Sequence, residues 1–131
     1  MNVKFQITAS FAQLNVLCKA VEALQGALMC TDRQMFEILL VLEEIAANVI
    51  HHGGGETIDV ELNKEWEELV IVITDDGVSF DPTKVTAADT SQPLEKRSPG
   101  GLGIHLVRQY TDSIAYRREN EKNIITLRKT I

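Results

Sequence analysis

Three polar or glycine-rich sites interrupt otherwise apolar segments of this sequence. They are Glu44 with Asn48, Asp75 with Gly77, and Gly101 with Gly103. Carboxylates and amides accept protons, hydrogen bonds or cations, and glycines let a ligand approach the backbone closely. Residues four apart in a helix lie one turn above the other, so the first pair would present a carboxylate and an amide on one face.

Each site also has a purely structural interpretation. A glutamate and an asparagine at helical spacing are common on a solvated helix edge. The run Asp75-Asp76-Gly77 is typical of a turn, and glycines 100, 101 and 103 could simply end a flexible loop. The three sites together, in this order and at this spacing, favour a functional interpretation.

The charge of the chain limits what such a site could bind. The formal net charge is −6, and a chain without a basic stripe is a poor candidate for binding nucleic acid. If a phosphate ligand binds, it must be held by backbone amides, a metal ion or both rather than by bulk positive charge.

Composition predicts one globular domain, residues 1–131, in the cytoplasm. Hydrophobic residues make up 44% of the 131 residues and charged residues 24%, which is typical of a folded domain. Cys18 and Cys30 have no CxxC spacing and no secretory leader before them, so we expect buried thiols in a reducing compartment. The apolar runs are too short to span a bilayer.

The element order predicted from periodicity is strand, helix, helix, strand, strand, long loop, helix, strand, strand. The first strand covers residues 2–9 and the first helix runs to about residue 29. The next helix should turn Phe36, Leu39, Leu40 and Ile50 towards a core, before strands near residues 58–62 and 69–73. A helix over 104–110 and strands near 113–118 and 123–129 complete the chain.

This order predicts an α/β (α+β) fold, a two-layer sandwich. A five-stranded mixed sheet would be covered on one face by about three helices. Ser10 with Gln13 and Thr31 with Gln34 have the form of capping boxes at the first two helices.

The long polar segment at about residues 83–100 would be a lid. A loop of that length in a compact domain is uncommon and is usually functional. Lys96 and Arg97 near its end could reach a bound phosphate, although a polar loop also carries such charges for solubility.

The histidines do not favour a zinc site. His51 and His52 are adjacent, and neighbours in a helix point about 100° apart. No CxxC or HxxxH accompanies them, so they are not spaced to share a metal.

The three sites resemble the N box and the first and second glycine boxes of the Bergerat-fold, or histidine kinase-like, ATPases. Within that superfamily the chain is most similar to the anti-sigma factor serine/threonine kinases. The similarity covers residues 41–53, 73–82 and 100–129, and it implies the histidine kinase-like ATPase fold.

This resemblance implies a role for each residue of the second helix. Asn48 would bind Mg²⁺ through its amide oxygen, in a shell shared with water and phosphates. Glu44 would be the general base that accepts the proton of the attacking hydroxyl. His52 would border the phosphates.

The resemblance also implies how ATP would be bound. Asp75 would accept a hydrogen bond from the adenine amino group, and Gly77 would let the backbone approach the base. Phosphates would lie at the start of the last helix, against Gly101, Leu102, Gly103 and Ile104, with Lys96 and Arg97 approaching from the lid. Ser79 departs from the family pattern, which often has a second glycine there.

The expected activity is transfer of the γ-phosphoryl group of Mg·ATP to a serine or threonine of a small antagonist protein. A sigma factor or similar regulator would be a second partner, and the resemblance is compatible with a homodimer. One alternative is a regulatory module that binds nucleotide and a partner but transfers nothing. Another is an ATPase subunit of a larger switch complex.

Overall fold

A five-stranded sheet forms one layer and the helices form the other in the computed structural model, which describes residues 1–84 and 101–131. Side chains of the second segment are described from Gly103 onward. The strands are β1 (Asn2–Thr8), β2 (Thr57–Glu65), β3 (Glu68–Asp75), β4 (Ser113–Glu119) and β5 (Lys122–Thr130). The helices are α1 (Phe11–Glu22), α2 (Gln25–Leu28), α3 (Asp32–His52) and α4 (Gly101–Tyr110), with a 3-10 helix at Pro82–Lys84.

Alternation along the strands puts one face of the sheet into the core. Ile58, Val60 and Leu62 of β2 are buried and the residues between them are half-buried, as the sequence predicted. The same period holds in β3 and β5. Because the buried positions share one side of the sheet, the helices cover that side only.

The sheet is antiparallel rather than mixed, so that part of the prediction is wrong. The strand order is β1-β2-β3-β5-β4, and every neighbouring pair is antiparallel. The connection through α4 makes β3 and β4 run in the same direction, but β5 lies between them. The two-layer fold itself is as predicted.

The helices differ from the prediction in three places. The first predicted helix is broken into α1 and α2, and Gly26 lies in α2, where a glycine costs helix stability. Helix α4 includes Gly101 instead of starting at Ile104. Phe36 is 63% exposed, so the predicted apolar stripe of α3 is wrong at that residue, whereas Leu39 and Ile50 are partly buried against the core as predicted. The fully buried face of α3 contains Met35, Ile38, Val41, Leu42, Ile45 and Ala46.

Both predicted helix starts are capped. Ser10 accepts a hydrogen bond from the Gln13 amide at 3.2 Å. At α3 the capping box is complete, because Thr31 accepts from the Gln34 amide at 3.1 Å while the Gln34 side chain accepts from the Thr31 amide at 2.9 Å. These bonds fix the start of the helix that carries Glu44.

Several other predictions concern the two cysteines and the lid. Cys18 and Cys30 are both buried and free, and burial raises the pKa of the Cys18 thiol to about 11.

The predicted lid lies mostly outside the described residues, and so do Lys96 and Arg97. Of its residues, 83 and 84 end the 3-10 helix. No helix within residues 1–84 or 101–131 is long and apolar enough to cross a membrane.

The two hairpin turns lie at opposite ends of the sheet. Asn120 and Glu121 both have positive φ, as the two-residue type I′ turn between β4 and β5 requires. The β2–β3 turn carries Trp66, which is 95% exposed. It is therefore separated from Asp75, at the other end of β3, by the length of that strand.

A buried ion pair joins β5, α3 and α4. Lys129 is 7% exposed, and its Nζ donates to Glu37 Oε2 at 2.6 Å and to the Tyr110 carbonyl at 2.8 Å. The Lys129 hydrogen bond lowers the pKa of Glu37. The pair thus fixes the C-terminal end of α4 against the sheet and α3.

We predict that Lys129→Met lowers the free energy of unfolding by about 2 to 4 kcal/mol, because it leaves a largely buried carboxylate without its main partner. Lys4→Met is the control, since its exposed pair with Glu61 should contribute less than about 1 kcal/mol.

The effect of Lys129→Met should also depend on pH. Because the pKa of Glu37 is lowered in the folded protein, its charged form stabilises the fold above the ordinary titration range of a glutamate. The difference between Lys129→Met and the unaltered chain should therefore shrink as the pH falls below that range and through the lowered pKa of Glu37. Urea unfolding at several pH values measures both, and equal costs for the two lysines would contradict the prediction.

Candidate nucleotide site

A small pocket opens where the C-terminal half of α3 meets the adjacent ends of β3 and β5. Asn48 and His52 line it from α3. Asp75 lines it from the end of β3, and Asn123 from the start of β5. The structure therefore brings two of the three sequence sites, at Asn48 and at Asp75, to one cavity.

Asp75 is a buried carboxylate with a defined set of donors. It is 5% exposed, and its Oδ1 accepts from the Gly77 amide at 2.9 Å and from Asn123 Nδ2 at 3.0 Å. Its other oxygen, Oδ2, has no donor within the described part of the chain. Both donors in the described part of the chain therefore use the same carboxylate oxygen.

Backbone segments pack tightly beside this carboxylate. A Cβ added to Gly77 would lie 3.0 Å from the Gly53 carbonyl oxygen and 3.0 Å from Asp75 Oδ1. A Cβ added to Gly55 would lie 2.7 Å from the Gly77 nitrogen, closer than real Cβ atoms approach. Close packing therefore favours glycine at position 77. The sequence had predicted a different reason for this glycine, the close approach of a ligand to the backbone.

Asp76 fixes the segment that follows α3. Its Oδ1 accepts from the Glu56 and Thr57 amides at 2.8 and 3.1 Å. These hydrogen bonds, that from Thr57 first, lower the pKa of Asp76. The aspartate beside Asp75 is thus a loop anchor, while Asp75 itself faces the cavity.

His52 lies at the edge of the cavity against an aromatic ring. Its imidazole stacks on Phe80, with ring centroids 3.9 Å apart and planes inclined by 26°. Both residues line the cavity, so they form one aromatic wall. The sequence placed His52 near phosphates, whereas the described contact is with Phe80.

Glu44 lies one turn before Asn48 and contacts α4. A Cβ added to Gly103 would overlap the Glu44 carboxylate, so the absence of a side chain at 103 makes room for it. The first turn of α4, starting at Gly101, contains backbone N–H groups that have no partner inside the helix. Glu44 therefore lies beside a potential anion site.

The environment of Glu44 favours its protonated form more than water does. Burial first, and the neighbouring Glu43 carboxylate second, raise the pKa of Glu44. The residue is half-buried and also lines a separate depression between α1 and α3, together with Glu43 and Cys18. It does not line the cavity that contains Asp75.

Most, but not all, of the predicted residues occupy this region. Asn48, His52 and Asp75 line the cavity, and Gly77 donates to Asp75. Glu44 and Gly103 contact each other nearby, and Ile104 is fully buried. Gly101 and Leu102 lie in the first turn of α4. Lys96 and Arg97 are not among the described residues.

Two residues of the cavity, Asn123 and Phe80, were not predicted from the sequence. Asn123 is 3% exposed and lies on the buried face of β5 with Ile125 and Leu127. A polar residue at a core-facing position of a strand is the signal that could have found it. Phe80 had no such signal, because it follows β3 in an irregular segment.

The cavity has no ready-made metal cage. Within residues 1–84 and 103–131, no group of three or more His, Cys, Asp or Glu side chains is placed to bind a metal ion. Mg²⁺ often takes only one or two protein ligands, with water and phosphates completing its shell. Asn48 is therefore compatible with a magnesium ion that arrives with a polyphosphate.

Comparison with known proteins gives the same family as the sequence sites. The family profile described as histidine kinase-like ATPase domain matches residues 7–129. Serine/threonine-protein kinase BtrW of Bordetella bronchiseptica is 28% identical over 99 residues, which cover 72% of this chain and 70% of that protein. Serine-protein kinase RsbW of Halalkalibacterium halodurans is 23% identical over 124 residues, covering 90% and 76%.

A solved structure supports the fold independently. The crystal structure of the SiaB–SiaC complex from Pseudomonas aeruginosa contains a chain that superposes with a TM-score of 0.65 at 17% identity, covering 98% of this chain and 89% of that one. At this identity the likeness concerns the fold alone. Because the family profile matches nearly the whole sequence, this chain belongs to the histidine kinase-like ATPase domain family.

Proposed function

We propose that this protein is an ATP-binding serine/threonine protein kinase of the anti-sigma factor type. It would transfer the γ-phosphoryl group of ATP to a small antagonist protein and also bind a sigma factor or similar regulator. The observation that carries the proposal is the cavity that combines Asp75 and Asn48, with Glu44 one helical turn away against α4.

Asp75 accounts for binding of the adenine base. Its Oδ2 lacks a donor among the described residues and can accept a hydrogen bond from an exocyclic amino group. Adenine offers such a donor, whereas guanine and hypoxanthine have a carbonyl oxygen at the same ring position. With either of those bases, the carbonyl oxygen would face the Asp75 carboxylate, and two facing acceptors leave a buried polar group unpaired. The site should therefore bind ATP more tightly than the guanine or hypoxanthine nucleotide.

Asn48 and the first turn of α4 account for the phosphates. Asn48 would hold Mg²⁺ through its amide oxygen, and the metal would supply positive charge to offset that of the phosphates. The free N–H groups of α4 would face the phosphates, with Gly101, Leu102, Gly103 and Ile104 supplying them. His52 would border the same ligand, and Lys96 and Arg97 would approach it from the lid.

Glu44 is the residue suited to accept a proton from the acceptor hydroxyl. It lies beside the glycine turn where the terminal phosphate would be bound, and its pKa is raised by burial and by Glu43. A raised pKa makes a carboxylate a stronger base. A module that only binds nucleotide has no need for such a group, so this position favours the kinase over the non-transferring alternative.

The names of the relatives support the partner class. BtrW and RsbW are named serine or serine/threonine protein kinases. The proposed acceptor is therefore a hydroxyl side chain of a small partner protein. A homodimer remains part of the proposal through family resemblance alone.

We predict that Glu44→Gln lowers phosphoryl transfer by about two to four orders of magnitude, the usual contribution of one general base, and leaves ATP affinity unchanged. The assay is incubation with labelled ATP, Mg²⁺ and the small proteins encoded beside the gene, followed by identification of the labelled residue. Equal transfer by the variant and the unaltered chain would exclude Glu44 as the base. ATP binding without transfer to any of these proteins would favour the regulatory module.

The pH profile of transfer should depend on Glu43. Because the pKa of Glu44 is raised, its basic form should be lost on acidification at a higher pH than for an ordinary glutamate. Glu43→Gln removes the second cause of that shift, so the acid limb of the transfer rate should move to lower pH. Rates at saturating ATP across the pH range measure this, and an unmoved acid limb would contradict the prediction.

Asp75→Ala should weaken ATP binding by about ten- to a hundredfold, as expected when a hydrogen bond to a charged group is removed from a buried site. Asp59→Ala is the matched control, because Asp59 lies on the opposite face of the sheet and accepts only from Gln6 in the described part. Calorimetric titration with ATP compares the two variants. Equal affinities would remove the adenine assignment of Asp75.

A further inference from the structure

Asn123 is the centre of a hydrogen-bond network behind the cavity. Its Nδ2 donates to Asp75 Oδ1 at 3.0 Å and to the Val78 carbonyl at 2.7 Å. Its Oδ1 accepts from Tyr116 Oη at 2.6 Å and from Arg118 Nη1 at 3.0 Å. The Phe80 amide donates to the same oxygen at 3.4 Å. Both ends of one buried amide are therefore in use.

The orientation of this amide is fixed by its partners. The Val78 carbonyl can only accept and the Phe80 amide can only donate. Arg118 can only donate as well. A flipped amide would put an oxygen against the Val78 carbonyl and an NH₂ group against two donors, so the donor end must face Asp75.

We infer that Asn123 is a positioning residue that makes the cavity selective for adenine over 6-oxopurines. The inference rests on the proposed function. Asn123 donates to one oxygen of Asp75 and, with the Gly77 amide, fixes the plane of the carboxylate. The remaining oxygen is then held as the acceptor for an exocyclic amino group.

The same network supports the wall of the cavity. Val78 and Phe80 both line the cavity and both bond to Asn123 through their backbone. Arg118 Nη1 also donates to the Gly77 carbonyl at 3.1 Å. Tyr116 and Arg118 of β4 therefore hold, through Asn123, the segment that follows β3 and the carboxylate at its end.

A role in positioning Asp75 differs measurably from a role in folding alone. If Asn123 only pinned the segment after β3, its loss would weaken every purine nucleotide to the same extent. If it holds Asp75 as an acceptor, its loss should affect the nucleotide with an amino group more than the nucleotide with a carbonyl oxygen. The ratio of two affinities is therefore the informative quantity.

The experiment is calorimetric titration of the full chain with ATP and with inosine 5′-triphosphate. The unaltered chain should bind ATP more tightly. Asn123→Ala should weaken ATP binding by about ten- to a hundredfold, the range for one hydrogen bond to a charged group, with little change for the inosine nucleotide. Thr126→Ala, on the other face of the same strand, should leave both affinities as they are.

A second variant tests the same point if Asn123→Ala does not fold. Asn123→Asp places a carboxyl group against Asp75 of β3 and against Tyr116 and Arg118 of β4. At low pH a shared proton can replace the Nδ2 donor, so ATP affinity should approach that of the unaltered chain at the same pH. It should fall below it as the pH rises, because the shared proton is then lost and two adjacent charged carboxylates repel each other.

The outcomes separate the two proposals. An unaltered chain that binds no ATP would overturn the proposed function and this inference with it. An unaltered chain that binds ATP, with an unchanged ATP-to-inosine ratio in Asn123→Ala, would overturn the positioning role alone. A pH-independent difference between Asn123→Asp and the unaltered chain would do the same.

Discussion

A carboxylate buried at the end of an apolar strand determines much of the structure around it. In β3 every second residue faces the core. Asp75 is the next core-facing residue after Ile71 and Ile73, and it is 5% exposed. Burying an unpaired neutral polar group costs about 2 to 7 kcal/mol, and burying an unpaired carboxylate costs far more, unless hydrogen-bond donors surround it. The Gly77 amide and Asn123 supply those donors. Asn123 is itself buried and needs partners, which β4 provides through Tyr116 and Arg118.

The strand order is what allows this arrangement. Asp75 and Asn123 are directly opposite in the β3–β5 register, although they are 48 positions apart in the chain. If β4 paired with β3, as a simple strand–helix–strand connection would give, the asparagine would lie one strand further away. The insertion of β5 between β3 and β4 thus serves the site as well as the sheet.

Helix α3 combines packing and chemistry on different faces. It is packed between α1 and α4, and Ile38, Leu42 and Ile45 anchor it in the core. Because successive side chains are rotated by about 100°, Glu44 and Asn48 project away from that buried stripe. Their positions relative to α4 and to the cavity therefore follow from core packing, with the cap at Thr31 fixing where the helix begins.

Local patterns predicted much of the fold because they depend on near neighbours. Alternation in β2 and the capping box at Thr31 are examples. The buried face of α3 was predicted only in part, since apolar residues surround much of that helix and tertiary contacts decide which of them are buried. Phe36 is the clearest case.

The residues of the candidate site were likewise predicted only where a local sequence pattern marked them. Asn48 and Asp75 stood out as polar residues next to apolar segments, whereas the contact of Gly103 with Glu44 and the role of Asn123 depend on long-range packing. Strand order is equally non-local, which is why the sheet was predicted to be mixed although every neighbouring pair is antiparallel.

The position of Trp66 decides which optical signals can report on this protein. It is the single tryptophan of the chain, and its indole is 95% exposed at the β2–β3 turn. Asp75 is the last of the eight residues of β3 that follow this turn, a span of roughly 25 Å at the usual rise of a strand. Its emission should already resemble that of indole in water, so neither nucleotide addition nor denaturation would change it much. Calorimetry, circular dichroism or a fluorescent nucleotide is needed to observe either event.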